Sequence, residues 1–148
     1  MTDTGVSFSC MHPRLSDHAV TTMLLAAMAA ARAMAQPQCI ALVDASGVVL
    51  AHLRMEGAKV LSLHSALARA ETAASINAPT HRVPAGVASA IAAATSGRVT
   101  SLPGGLPIRL SGHLLGGIGI GSGTGDQDIA VAMAALRAIG AEVFDGSS

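Results

Sequence analysis

The sequence predicts a single α+β domain, and three observations carry that reading. Two pairs of short apolar runs are each joined by turn residues, the pattern of β-hairpins. After each hairpin comes an alanine-rich stretch whose larger apolar residues recur every three or four positions, the period of an amphipathic helix. The 148 residues show no repeat or linker, and a chain of that length buries one core without staples.

Taken in order, residues 1–14 have no sustained periodicity and are expected as a flexible arm, or as a strand that docks on a partner. Ser16 or Asp17 caps a helix that runs to about residue 35, and Pro37 ends it. The runs 39–43 and 48–55 form a hairpin across Asp44-Ala45-Ser46-Gly47. Beyond Glu56-Gly57, residues 60–78 read as a second helix with Leu63, Leu67, Ala70 and Ala74 on one stripe, and Pro79 stops it. A shorter helix is expected at 84–94, with Pro84 in its first turn, and residues 98–102 are a strand or an extended loop. The second hairpin joins 107–110 to 114–120 through Ser111-Gly112. A glycine-rich turn, 121–125, then leads through Asp126-Gln127-Asp128 into a closing helix that ends near residue 139. The folded domain is expected over 15–142, with a flexible tail at 143–148.

Composition narrows the function classes. Half of the chain is apolar (51%), yet aromatic residues make up 1%, so the core must be built from Ala, Leu, Val, Ile and Met. A formal net charge of zero gives no electrostatic pull towards nucleic acid or an acidic membrane. The same low charge leaves little colloidal protection and favours a homo-oligomer. Cys10 and Cys39 lack metal-ligand spacing and are expected as free, buried thiols. Asp3 stands where a signal peptide needs positive charge, and the apolar stretch 19–35 is interrupted by Thr21, Thr22 and Arg32. A soluble, cytoplasmic chain without a membrane span is the expectation.

Several segments match a known family: VDASGVVLAHLRMEGA at 43–58, ALARAETAAS at 66–75, LPGGLPIRLSGHLLGGIGIGSG at 102–123, and Gln127-Asp128 at the start of the last helix. On these the sequence resembles the GlcG-like, haem-degrading (HbpS-like, DUF336) family, which also occurs as the C-terminal domain of PduO-type adenosyltransferases. The resemblance implies a profilin-like, three-layer α/β/α fold with a five-stranded antiparallel sheet and helices on both faces. It also implies a symmetric oligomer and, for some members, haem binding or degradation. The chain departs from the family pattern at Arg69, where Lys is usual, at Glu56, where Asp is usual, and at Lys59, where Pro is usual. Arginine keeps the charge at position 69 but is a poor proton-transfer base.

Read from their own chemistry, the candidate site residues fall into three groups. Of six histidines none pair at a helical metal spacing, so no metal motif is present. His52 and His64 are singled out because they lie in or beside the family segments; either would serve as a haem axial ligand, and His64 also as a general base. Alternation puts Leu50, His52 and Arg54 on one strand face, opposite Leu53 and Met55, and extends that face to Glu56 if the strand continues to Gly57. His113, at a hairpin tip, is expected to face water.

Arg54 and Arg69 would anchor a carboxylate, with Thr72 beside them, while His64, Glu56 and Asp128 would handle a proton. Backbone N–H groups at Gly104, Gly105 and Ser122 would face a developing oxyanion. The plainer reading is that Ser122 or Thr124 caps the last helix, that Asp128 sits at a favourable helix N-terminus, and that Arg54 and Glu56 form a surface pair.

These residues favour a cofactor-free enzyme of small-molecule catabolism, acting by proton transfer on a carboxylated or carbonyl substrate as an isomerase, lyase or hydrolase. The alternative is a haem (tetrapyrrole)-binding or haem-degrading protein, in which Leu, Ile and Met rather than aromatic rings line the pocket. A third reading is an accessory oligomer subunit without turnover.

Overall fold

A computed structural model describes residues 5–144. Four α-helices and four strands follow in the order α1 (Asp17–Ala33), β1 (Cys39–Asp44), β2 (Val49–Arg54), α2 (Ser62–Ile76), α3 (Ala88–Ala94), β3 (Gly105–Leu110), β4 (His113–Gly121) and α4 (Gly125–Ala138). The strands form one antiparallel sheet in the order β2-β1-β4-β3. Residues 5–16 contain no helix or strand, and Phe8 and Met11 on that segment are fully exposed.

Local chemistry sets the helix ends. The Ser16 side chain accepts the Ala19 N–H at 3.1 Å and opens α1. Thr124 and Gln127 close a reciprocal capping box at the start of α4. Asn77, in the left-handed conformation, ends α2 two residues before Pro79. The helix expected at 84–94 divides into a 3-10 turn at Ala85–Val87 and the seven-residue α3.

Among the described residues the sheet has four strands rather than five. Residues 98–102, the candidate for a further strand, find their backbone partners on side chains instead of on a neighbouring strand. Thr72 Oγ1 donates to the Arg98 carbonyl and accepts the Thr100 N–H, each at 3.0 Å, and Thr95 Oγ1 accepts the Val99 N–H at 3.0 Å. A segment whose polar groups are satisfied by a helix has no ladder left to join.

Three layers result. On one face α1 and α4 cover Ile40, Leu42, Leu106, Ile108, Ile118 and Ile120. Burying such a side chain contributes about 2 kcal/mol. On the other face α2 packs Ala66, Ala70 and Ala74 onto Cys39, Ala41 and Val43. There β4 presents Gly117 and Gly119, where an added Cβ would overlap the Ala70 and Ala66 carbonyl oxygens. In β2 a bulge opposite Leu42/Val43 moves Leu50 onto the α1/α4 side with Ala51 and Leu53. His52 and Arg54 register with Ala41 and Cys39 and face the α2 side as alternation requires, whereas Leu50 does not join them. Within the segment expected as a tail, Phe144 is buried in the core under the Arg109 guanidinium; residues 145–148 lie outside the described chain, as do 1–4 of the expected arm. Among the described residues no helix is long and apolar enough to cross a membrane.

Candidate functional site

Four of the residues singled out from sequence meet in one buried cluster, Arg69, Gly104, Gly105 and Asp128, and Ser122 lies buried in the adjoining turn. The packed face of α2 carries Arg69 inward, while the capping box fixes the first turn of α4 and with it Asp128. Arg69 Nη1 lies 3.0 Å from Asp128 Oδ2 and also donates to the Ile120 carbonyl. Asp128 Oδ1 accepts the Gly123 N–H at 3.1 Å. Asp128 is 1% exposed and Arg69 8%.

Glycine permits the approach of the preceding turn. A Cβ on Gly104, whose φ is +116°, would stand 2.8 Å from the Ile120 carbonyl oxygen and 2.9 Å from Asp128 Cβ. A Cβ on Gly105 would overlap the Arg69 carbonyl oxygen and the Thr80 methyl. Ser122, at φ +95°, turns its hydroxyl to the Lys59 N–H at 2.9 Å.

Burial dominates the electrostatics of this pair. Desolvation pushes the Asp128 carboxyl above its ordinary range, against the pull of the Arg69 charge and the Gly123 N–H. Desolvation likewise lowers the Arg69 guanidinium, against the Asp128 charge. The fully buried Gln38 amide lies alongside Asp128, where its dipole also favours the carboxylate, but neither of its polar atoms reaches hydrogen-bond geometry. Gln38 is the member of this cluster that sequence reasoning missed, because a glutamine between Pro37 and an apolar strand carries no distinguishing signal.

The turn at 121–125 spends its donors internally. Gly123 N–H goes to Asp128, and Thr124 N–H goes to Gln127 Oε1 at 2.9 Å. Thr124, not Ser122, caps α4. Thr72 is fully buried and holds the segment after α3, as described above.

The remaining candidates lie at the surface. His52 and His64 share the corner between β2 and the first turns of α2. His52 Nε2 donates to the Leu63 carbonyl at 2.8 Å; the acceptor being a carbonyl, that nitrogen carries the proton. His64, the next residue along, is exposed, and its imidazole makes no hydrogen bond among the described residues. Three aliphatic side chains are exposed there as well: Val49 (46%), Val60 (59%) and Leu61 (74%). Arg54 is exposed, faces the same side of β2 as His52, and has no ion-pair partner among the described residues.

Glu56 does not continue that strand face, since the strand ends at Arg54 and Glu56 lies exposed in the following turn; both residues nonetheless line an open hollow of about 570 Å³ with Met28, Leu53 and Met55. His113 is exposed at its hairpin tip. Among the described residues no group of three or more His, Cys, Asp or Glu could hold a metal ion.

Three comparisons set this geometry among known proteins. The family described as haem degrading protein HbpS-like matches residues 15–137. The corrinoid adenosyltransferase PduO of Salmonella typhimurium is 30% identical over 130 residues, which are 84% of this chain and 39% of that protein. This chain thus spans well under half the length of that relative. The crystal structure of a PduOC:heme complex superposes with a TM-score of 0.83 at 28% identity, covering 90% of this chain and 100% of that one. The crystal structure of HbpS superposes with a TM-score of 0.76 at 33% identity, covering 93% and 96% of the two chains.

Proposed function

Because the chain belongs to the HbpS-like family of haem-degrading proteins, we propose that it is a haem-binding protein. The single observation that carries this reading is the likeness to the PduOC:heme complex over nine-tenths of the chain. The β2–α2 corner has the side chains such a group needs: two imidazoles, an unpaired guanidinium and exposed aliphatic surface. In this reading His64 or His52 supplies the axial nitrogen, and Arg54 pairs with a propionate carboxylate. Val49, Val60 and Leu61 take the place of stacking aromatic rings against the porphyrin edge. His64 needs no rearrangement, whereas His52 must give up its bond to the Leu63 carbonyl or ligate through Nδ1. Bound haem supplies the redox and ligand-binding chemistry of iron.

A proton-transfer enzyme gains no comparable support. Asp128 is enclosed and engaged by Arg69 and Gly123, while His64 and Glu56 are exposed. A homo-oligomer is part of the proposal, since the zero net charge and high apolar content favour one. A monomeric mass in solution at micromolar concentration counts against it.

The test is a haemin titration of the purified chain, followed by its visible spectrum. A saturable Soret shift is expected, lost in His64→Ala or in His52→Ala. Weak, unsaturable binding by the parent chain removes haem from consideration. Equal, saturable binding by parent and both variants keeps haem but moves its ligand elsewhere.

A further inference from the structure

Away from the buried ion pair and from the β2–α2 corner, a hollow of about 390 Å³ opens between the β1–β2 turn, the C-terminal half of α2 and the segment after α3. We propose that this hollow binds a small neutral polyol. Its central group is Arg98, whose backbone and guanidinium both have partners in the protein although its side chain is 67% exposed. Thr72 holds its backbone, and Glu71 Oε2 accepts both from Nε at 2.6 Å and from Nη2. A guanidinium already paired in this way loses less rotamer freedom on binding than an unpaired one.

Both of those bonds use one carboxylate oxygen. Glu71 Oε1 therefore remains an open acceptor, and Arg98 Nη1 an open donor. Also lining the hollow, Ser75 one turn after Glu71 on α2 and Ser46 on the β1–β2 turn have hydroxyls that make no hydrogen bond among the described residues. The Arg98 and Glu71 charges cancel, so the site has no net pull on an anion. What remains is a set of donors and acceptors beside the apolar surface of Ala74 and Val99. Hydroxyl groups on neighbouring carbons, each both donor and acceptor, satisfy that set while their C–H face lies on the apolar wall.

The test is a titration of the full chain followed by backbone amide NMR. Glycerol, D-ribose and D-glucose are added separately, with L-lactate as an anionic control. At least one polyol is expected to give saturable shifts at Ser46, Gly47, Ser75 and Arg98, with a Kd near ~1 mM. Arg98→Ala and Ser75→Ala are each expected to weaken it about tenfold, the loss of one good hydrogen bond. Both side chains are exposed, and Ser75→Ala carries the test alone should Arg98→Ala fold poorly. Absence of saturable shifts with all three polyols overturns the proposal. So does tighter binding of L-lactate than of any polyol, or unchanged affinity in the folded variants.

Discussion

The two faces of the sheet are built on opposite rules. Towards α1 and α4 the strands present isoleucine and leucine, and the helices answer with Met23, Val131 and Leu136. Layers separated by large side chains adjust to small changes of volume. Towards α2 the strands present Cys39, Ala41, Gly117 and Gly119 against alanines, so helix and sheet meet nearly backbone to backbone. The buried ion pair joins the two sides, Arg69 coming from α2 and Asp128 from the first turn of α4. Side-chain volume sets the spacing on the first face, whereas on the second it is set by the absence of side chains.

Substitutions break or sharpen this contrast in a defined order. Arg69→Ala has the largest expected effect, about 3–5 kcal/mol of unfolding free energy, because Asp128 is left buried without its counter-charge. The double variant Arg69→Met/Asp128→Leu regains most of that loss in urea denaturation; a double variant as unstable as the single would show that the pair contributes more than mutual neutralisation. Gly119→Ala comes next, at about 3 kcal/mol, since the new methyl meets helix backbone that cannot rotate away. An unshifted denaturation midpoint in this variant would mean that α2 can lift off the sheet. On the opposite face Ile118→Val is expected to cost about 1 kcal/mol. If Ile118→Val equals or exceeds Gly119→Ala, the asymmetry between the faces is refuted.

The smallest effect is a rate rather than a stability. Cys39, beneath α2, is fully buried, and burial raises its thiol pKa against the lowering by the Arg54 charge, whereas Cys10 is exposed. A disulfide reagent should therefore titrate one thiol per native chain quickly and the second only on unfolding. Two fast thiols in the native chain would show that the α2 face opens on its own.

Both hairpins and the three long helices are legible in the sequence, because period and turn chemistry agree at each of them. The fifth strand, implied by the family resemblance, is not seen in the structure. Its candidate segment is held by Thr72 and Thr95, and no local pattern discloses that a hydroxyl on a distant helix will take a strand's place. The face of Leu50 is misread for a related reason: a bulge shifts alternation by one residue and has no signature in Leu50 itself. Arg69 and Asp128 stand out individually by residue type, but their pairing across 59 positions is a tertiary fact. The hollow around Arg98 and Ser75 escapes altogether, since Arg98 belongs to no motif and Ser75 only closes one, and nothing local brings the two together.

The two rims of the sheet differ as well. Along β3, Pro107 lacks an N–H, and the C-terminal segment comes alongside, with the Glu142 N–H on the Arg109 carbonyl at 2.9 Å. Along β2 the strand has a neighbour on one side alone. Were the proposed oligomer to form along this border, two copies about a two-fold axis would use up both open borders, and growth in that direction would end at a pair instead of running on into a fibre.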